Sequence, residues 1–203
     1  MNLKLKEVVS EVADFVNMTD VRQILEARES EIELLGRYTF SADAYTKINR
    51  VVSAVNMAIE KIARNYVPFF TTQIVASDST GFVTYSKLIE NVLEVVEARE
   101  LKRDLKSVVE PETDGFYVSS SGTSYRVKYS YVPSRLTMGD FDKTVSLPPV
   151  VSLYVLCYAV ASELALATSC FDEAEIWKQK MQESFREARL PKREVRVGRR
   201  KFL

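Results

Sequence analysis

The sequence predicts an α+β fold: a mainly α-helical bundle with an inserted small antiparallel β-sheet and an extended C-terminal arm. Three observations carry this. Apolar residues recur at helical spacing in residues 1–67 and 147–188, they change to strand spacing between about 69 and 133, and the periodicity gives way to a basic run over 189–203. At 203 residues and 46% hydrophobic content, the chain can bury a core without staples. The expected organisation is one domain, residues 1–188, followed by the arm.

Leu5, Val8, Val9, Val12, Phe15 and Val16 keep the spacing of a short first helix, which Met18-Thr19-Asp20 closes. Asp20 is placed to cap a second helix, with Gln23 as its capping-box partner. In that helix Val21, Ile24, Leu25, Ile32 and Leu35 make the apolar stripe, Glu26, Arg28, Glu29, Glu31 and Glu33 face solvent, and Gly36 is the stop. After Ser41, the residues Ile48, Val51, Val52, Val55, Ile59, Ile62 and Tyr66 mark a third helix of about two dozen residues, roughly 36 Å at 1.5 Å per residue. Pro68 ends it.

The period then changes to two. Gln73 to Ala76, Phe82 to Tyr85, Val92 to Val96 and Tyr125 to Tyr131 read as strands, divided by turn signals at Asp78-Ser79-Thr80-Gly81, Thr113-Asp114-Gly115 and Ser119-Ser120-Ser121-Gly122. The clearest strand sets Tyr125, Val127, Tyr129 and Tyr131 on one face and Arg126, Lys128 and Ser130 on the other. A row of tyrosines can serve as a base-stacking platform. At strand spacing it reads more simply as a half-buried core face.

Residues 147–188 read as a helical hairpin. Pro148 and Pro149 fit a first helical turn capped by Ser146, and from Val150 to Leu166 nearly every position is apolar, so this central helix is expected to be covered on most sides. A membrane span is set aside because two prolines open the run, Glu163 interrupts it and no basic cluster flanks it. Ser169 is placed to cap the second helix, with Asp172 and Glu173 in its first turn and Phe171, Ala174, Trp177, Met181, Phe185 and Ala188 as one buried stripe.

The chain contains no histidine and only Cys157 and Cys170, expected to be buried free thiols, so zinc clusters, serine–histidine triads and histidine acid–base chemistry are excluded. The glycines stand singly, with no phosphate-cradling loop, and no pair of acids has a spacing that implies acid–base work. No enzyme activity and no cofactor or metal are expected. The N-terminus has no secretory pattern, and a reducing cytoplasm suits the thiols. Charge is divided: residues 189–203 hold seven basic side chains and one acid, a net +6, against −6 for residues 1–188 with 21 basic and 27 acidic.

The order of parts resembles a known family. The residues that carry the resemblance are a long helix ending Tyr66-Val67-Pro68, the run Phe82-Val83-Thr84-Tyr85-Ser86, and Val127-Lys128-Tyr129-Ser130-Tyr131-Val132-Pro133-Ser134-Arg135-Leu136-Thr137. Val145-Ser146-Leu147-Pro148-Pro149 and Phe171-Asp172-Glu173-Ala174-Glu175-Ile176-Trp177 complete it. Together, over roughly residues 45 to 188, they are similar to the head-to-tail connector (adaptor) proteins of tailed bacteriophages and prophages. These are packing and turn motifs rather than catalytic ones.

The resemblance implies a structural virion protein of the neck, assembled in the host cytoplasm. It would form a homo-oligomeric ring, commonly of twelve subunits, that docks on the portal protein, meets a tail-side neck or tail protein, and passes double-stranded DNA without sequence specificity. No membrane is involved. Family members often dock through a C-terminal arm, which here is Lys192, Arg193, Val195, Arg196, Val197, Arg199, Arg200, Lys201, Phe202 and Leu203. The arm has too few apolar residues to fold alone, and Glu194-Val195-Arg196-Val197 alternates as an added strand would. The alternative is a nucleic-acid-binding module acting through the same basic tail.

Overall fold

The structure, a computed structural model, describes residues 2–26 and 41–189. It is a mixed fold of helices and small antiparallel sheets. The chain runs β1 (Asn2–Lys4), α1 (Leu5–Phe15), a helical stretch α2 over residues 19–26, and then α3 (Ala42–Asn65); the rest of the predicted second helix, with Ile32, Leu35 and Gly36, lies outside the described residues. Seven strands follow: β2 (Phe69–Ala76), β3 (Phe82–Thr84), β4 (Asn91–Glu100), β5 (Lys106–Ser107), β6 (Val109–Pro111), β7 (Gly115–Val118) and β8 (Ser124–Val132). β9 (Thr144–Ser146) pairs back with β1, and α4 (Leu153–Ala167) and α5 (Phe171–Arg189) complete the order.

Helix α3 forms where the apolar spacing places it. Ser41 caps it, its Oγ accepting from the Ala44 N–H at 3.3 Å. Its stripe, Ile48 through Ile62, is buried with Leu5, Val8 and Val12 of α1, Val155, Leu156 and Val160 of α4, and Met181 and Phe185 of α5. That is the first of two cores.

The second core lies between two sheets. One has the order β2-β8-β4-β5 and the other β3-β7-β6, every pairing antiparallel. Tyr125, Val127 and Tyr129 of β8 point into this core with Val75, Val83, Leu88 and Phe116. The tyrosine face is therefore packed rather than open to bases, and Tyr131, at its end, touches both cores. Gly115 is required where β7 pairs with β3 in the second sheet, since a Cβ there would run into the Val83 carbonyl.

Several expectations are corrected. The central helix begins at Leu153, not at the prolines: Ser152 is the cap, accepting from the Val155 N–H at 3.3 Å, while Pro148 and Pro149 form a turn closed by the Val151 N–H on the Pro148 carbonyl. Prolines suit either place, and the nearer cap decides. The helix is covered on most sides as expected, and its open positions include Tyr154, 69% exposed, and Leu166.

Ser169 does not cap α5. Its φ of +60° puts it in the left-handed region, where its N–H bonds the Leu166 carbonyl and the Cys170 N–H bonds the Ala165 carbonyl. This Schellman closure ends α4. Asn17, at φ +59°, ends α1 in the same way.

In α5 the stripe holds for Ala174, Met181 and Phe185, but Trp177 is half-buried, and Phe171 (67% exposed) and Ala188 are exposed. Phe171 is the first residue of α5, directly after the connection from α4. Residues 19 and 20 are already helical, and Asp20 Oδ1 accepts from the adjacent Val21 N–H instead of forming a box with Gln23. Ser130 is buried although it falls on the polar face of its strand, its hydroxyl directed at the Glu94 carbonyl. Residues 115–118 are a strand rather than the end of a turn, and both thiols are free but Cys170 is exposed.

Candidate functional site

The arm residues predicted as the docking site, Lys192, Arg193, Val195, Arg196, Val197, Arg199, Arg200, Lys201, Phe202 and Leu203, lie outside the described residues. Where the arm departs is defined. Phe185 in the last turns of α5 stacks on Tyr66 at 5.2 Å, and the Gln182 side-chain amide donates to the Tyr66 hydroxyl. Tyr66 closes α3 three residues before β2, so α5 ends beside the start of the sheet.

A cleft of about 270 Å³ opens where α3, the end of β8 and β9 meet. Its wall is set by Asn56, whose side-chain amide donates to the Leu136 carbonyl while its oxygen accepts from the Leu136 N–H, both at 2.8 Å. One side chain thus replaces a strand partner for an irregular segment. Arg135 reaches Glu60 at 3.6 Å, and Ser134 approaches Glu90 at 3.4 Å. Burial, and after it the Glu90 carboxylate, pushes the Tyr131 phenol above its ordinary pKa. The Thr137–Asp140 turn closes the segment: Asp140 Oδ2 accepts from the Thr137 N–H and hydroxyl, which holds its carboxyl below the usual range.

A second groove, of about 470 Å³, lies between the end of α1 and the α4–α5 hairpin. Its aromatic wall is Phe15, 5.3 Å from Trp177, with Tyr158 stacked on Trp177 at 6.0 Å and Lys180 over the indole at 4.6 Å. Arg50 and Glu173 stand at its rim, and Glu173 accepts from the indole N–H at 3.2 Å.

Among the described residues, no group of three or more histidine, cysteine or acidic side chains could hold a metal ion. No helix of the described residues is long and apolar enough to cross a membrane. Exposed apolar side chains stand on the hairpin (Tyr154, Phe171, Ile176) and on the strands and their connections (Ile74, Leu105, Val108). Sequence reading missed Asn56 and Arg135 as organisers of the cleft. A signal for Asn56 existed, as a lone amide amid Val52, Val55 and Ile59. No protein-family model matches the chain, and no curated protein matches it.

Proposed function

We propose that the chain is a head-to-tail connector subunit of a tailed bacteriophage: a helical bundle with an inserted β-sheet, forming one unit over residues 1–188, and an extended basic arm. The observation that carries this reading is the order of parts, from the long helix ending at Tyr66 through the strands and Tyr131-Val132-Pro133-Ser134-Arg135 to the proline-led hairpin with Trp177. Support comes also from the exposed apolar side chains on two different elements, the hairpin and the strands, because a ring needs two unlike, complementary surfaces on each subunit.

In this reading subunits associate head to tail around a DNA channel, probing neither base nor sequence. The net charge of −6 over residues 1–188 suits a wall that does not grip phosphates. The arm, 189–203, docks on the portal, and a tail-side protein takes the opposite rim. The test is to truncate after Ala188 and measure folding and portal binding. An intact fold with lost docking supports the reading, and unchanged docking removes the arm from it. The +6 charge of the tail favours a second reading, a nucleic-acid-binding module, for which salt-dependent binding of free duplex DNA would have to vanish on the same truncation.

A further inference from the structure

The free edge of β2 is a strand template. At the end of the β2–β8 ladder the Ser77 N–H donates to the Thr123 carbonyl at 3.0 Å, which fixes the parity of the register Phe69↔Tyr131 through Ala76↔Ser124. Odd-numbered residues of β2 then turn their main-chain groups toward β8, and Phe70, Thr72, Ile74 and Ala76 turn theirs outward. The Ala76 carbonyl is taken by Lys87 Nζ, so the open stretch is Phe70 to Ile74. No strand pairs with it among the described residues, and Phe70 and Ile74 are 50% and 58% exposed.

The other edges are blunted. β4 has two register shifts that leave Leu93 and Val96 as extra residues, β6 carries Glu110 and Pro111, and β3 and β5 are three and two residues long. β2 has eight residues without proline, bulge or charge. Charge bears on the occupant. A strand added from Lys192 to Val197 would set either Lys192, Glu194 and Arg196 or Arg193 alone among its charges on the face that already holds Lys128 and Arg126, cross-strand neighbours of Thr72 and Ile74, where Glu97 offsets Lys128. A second β2 brings no charge at all.

We infer that β2 pairs antiparallel with β2 of a second copy about a two-fold axis at Thr72. In that register Thr72 faces the partner's Thr72 and Phe70 faces the partner's Ile74, the Thr–Thr and aromatic–β-branched pairs that antiparallel sheets favour. Every outward N–H and C=O from Phe70 to Ile74 gains a bond. The contact is far smaller than the roughly 800 Å² per partner of a stable interface, so the dimer is weak and forms at high concentration. It does not depend on the connector reading; a ring of head-to-tail contacts would have to part it first.

The test is sedimentation of the full chain up to millimolar concentration, with hydrogen exchange at the β2 amides. Dimerisation is expected, with the Phe70, Thr72 and Ile74 amides more protected in the dimer. Thr72→Pro removes an N–H that β8 does not use, and proline is tolerated on an edge strand. Thr72→Pro and Ile74→Lys should each weaken association about tenfold or more, whereas Tyr154→Lys on α4 should not. A chain that stays monomeric, an assembly that both variants leave intact, or one larger than two copies overturns the inference. So does loss of the amide protection on deleting residues 190–203, which would make the arm the occupant.

Discussion

Lys61 and Glu163 meet across the α3–α4 interface, Nζ to Oε1 at 2.7 Å, with the carboxylate only 6% exposed. An ionised carboxylate in that position needs its partner, whereas an apolar pair of similar size can be as stable. Lys61→Met is therefore expected to cost about 3 kcal/mol, the low end for a broken buried pair because water reaches the ammonium. Adding Glu163→Leu should recover most of it. Denaturant unfolding of both variants checks this, and a double variant no more stable than the single one would refute the pairing argument.

Asn56→Ala should destabilise by about 1 to 3 kcal/mol, because it strands the N–H and the carbonyl of Leu136 together. The local signature is more specific. The Leu136 amide should exchange faster by a larger factor than the amides of β8, and equal acceleration across both would mean that Asn56 supports the whole fold instead of this segment.

Trp177 packs on Tyr158 and Phe15 but keeps an open side under Lys180. Trp177→Ala is expected to cost about 2 to 3 kcal/mol, less than the roughly 3 to 5 of a fully buried tryptophan. A change below about 1 kcal/mol, the size of an ordinary surface substitution, would show that it does not anchor the hairpin.

The two thiols should differ in reactivity. Burial, and after it Glu11, pushes Cys157 up to about 12, while Cys170 is exposed. Iodoacetamide near pH 8 should label the folded protein once, at Cys170, and twice after denaturation. Labelling of Cys157 in the folded chain at a comparable rate, read by peptide mass, would contradict the packing around α4.

Acid should weaken the Thr137–Asp140 turn. The Asp140 carboxyl is lowered by the Thr137 hydroxyl and then by its N–H, so it binds protons less readily folded than unfolded. Its contribution is present above the unfolded value near 3.8 and is lost as pH falls through the folded one. Melting temperatures from neutral to strongly acid pH should therefore fall more steeply for the native chain than for Asp140→Asn. Parallel curves would exclude the effect.

Much of this fold was legible in the sequence where one face of an element is buried. Helix α3 was readable nearly to the residue because Ser41, its stripe and Pro68 agree. The strands β2, β3, β4 and β8 were found by alternation and turn signals, yet β7 was missed because Gly115, which reads as a turn, is there for close approach to Val83. Helix ends failed for a shared reason: Ser146, Ser152 and Ser169 can all cap, and tertiary geometry chooses which does. Of the candidate site, the arm falls outside the described residues. The cleft depends on Asn56 meeting Leu136 across 80 residues, which no local pattern encodes.

The pairing of Phe69 with Tyr131 has a consequence for how the chain comes together. Helices α3 and α4 must meet although a long stretch separates them, and each doubling of a flexible loop adds only about 0.6 kcal/mol of closure entropy. Once β2 and β8 zip, about sixty residues begin and end at one point, and the helices see only a short effective connection on each side. Residues 70–130 could then be exchanged for a tight hairpin turn, or lengthened at their loops, with little change in the entropy of closing the helical core.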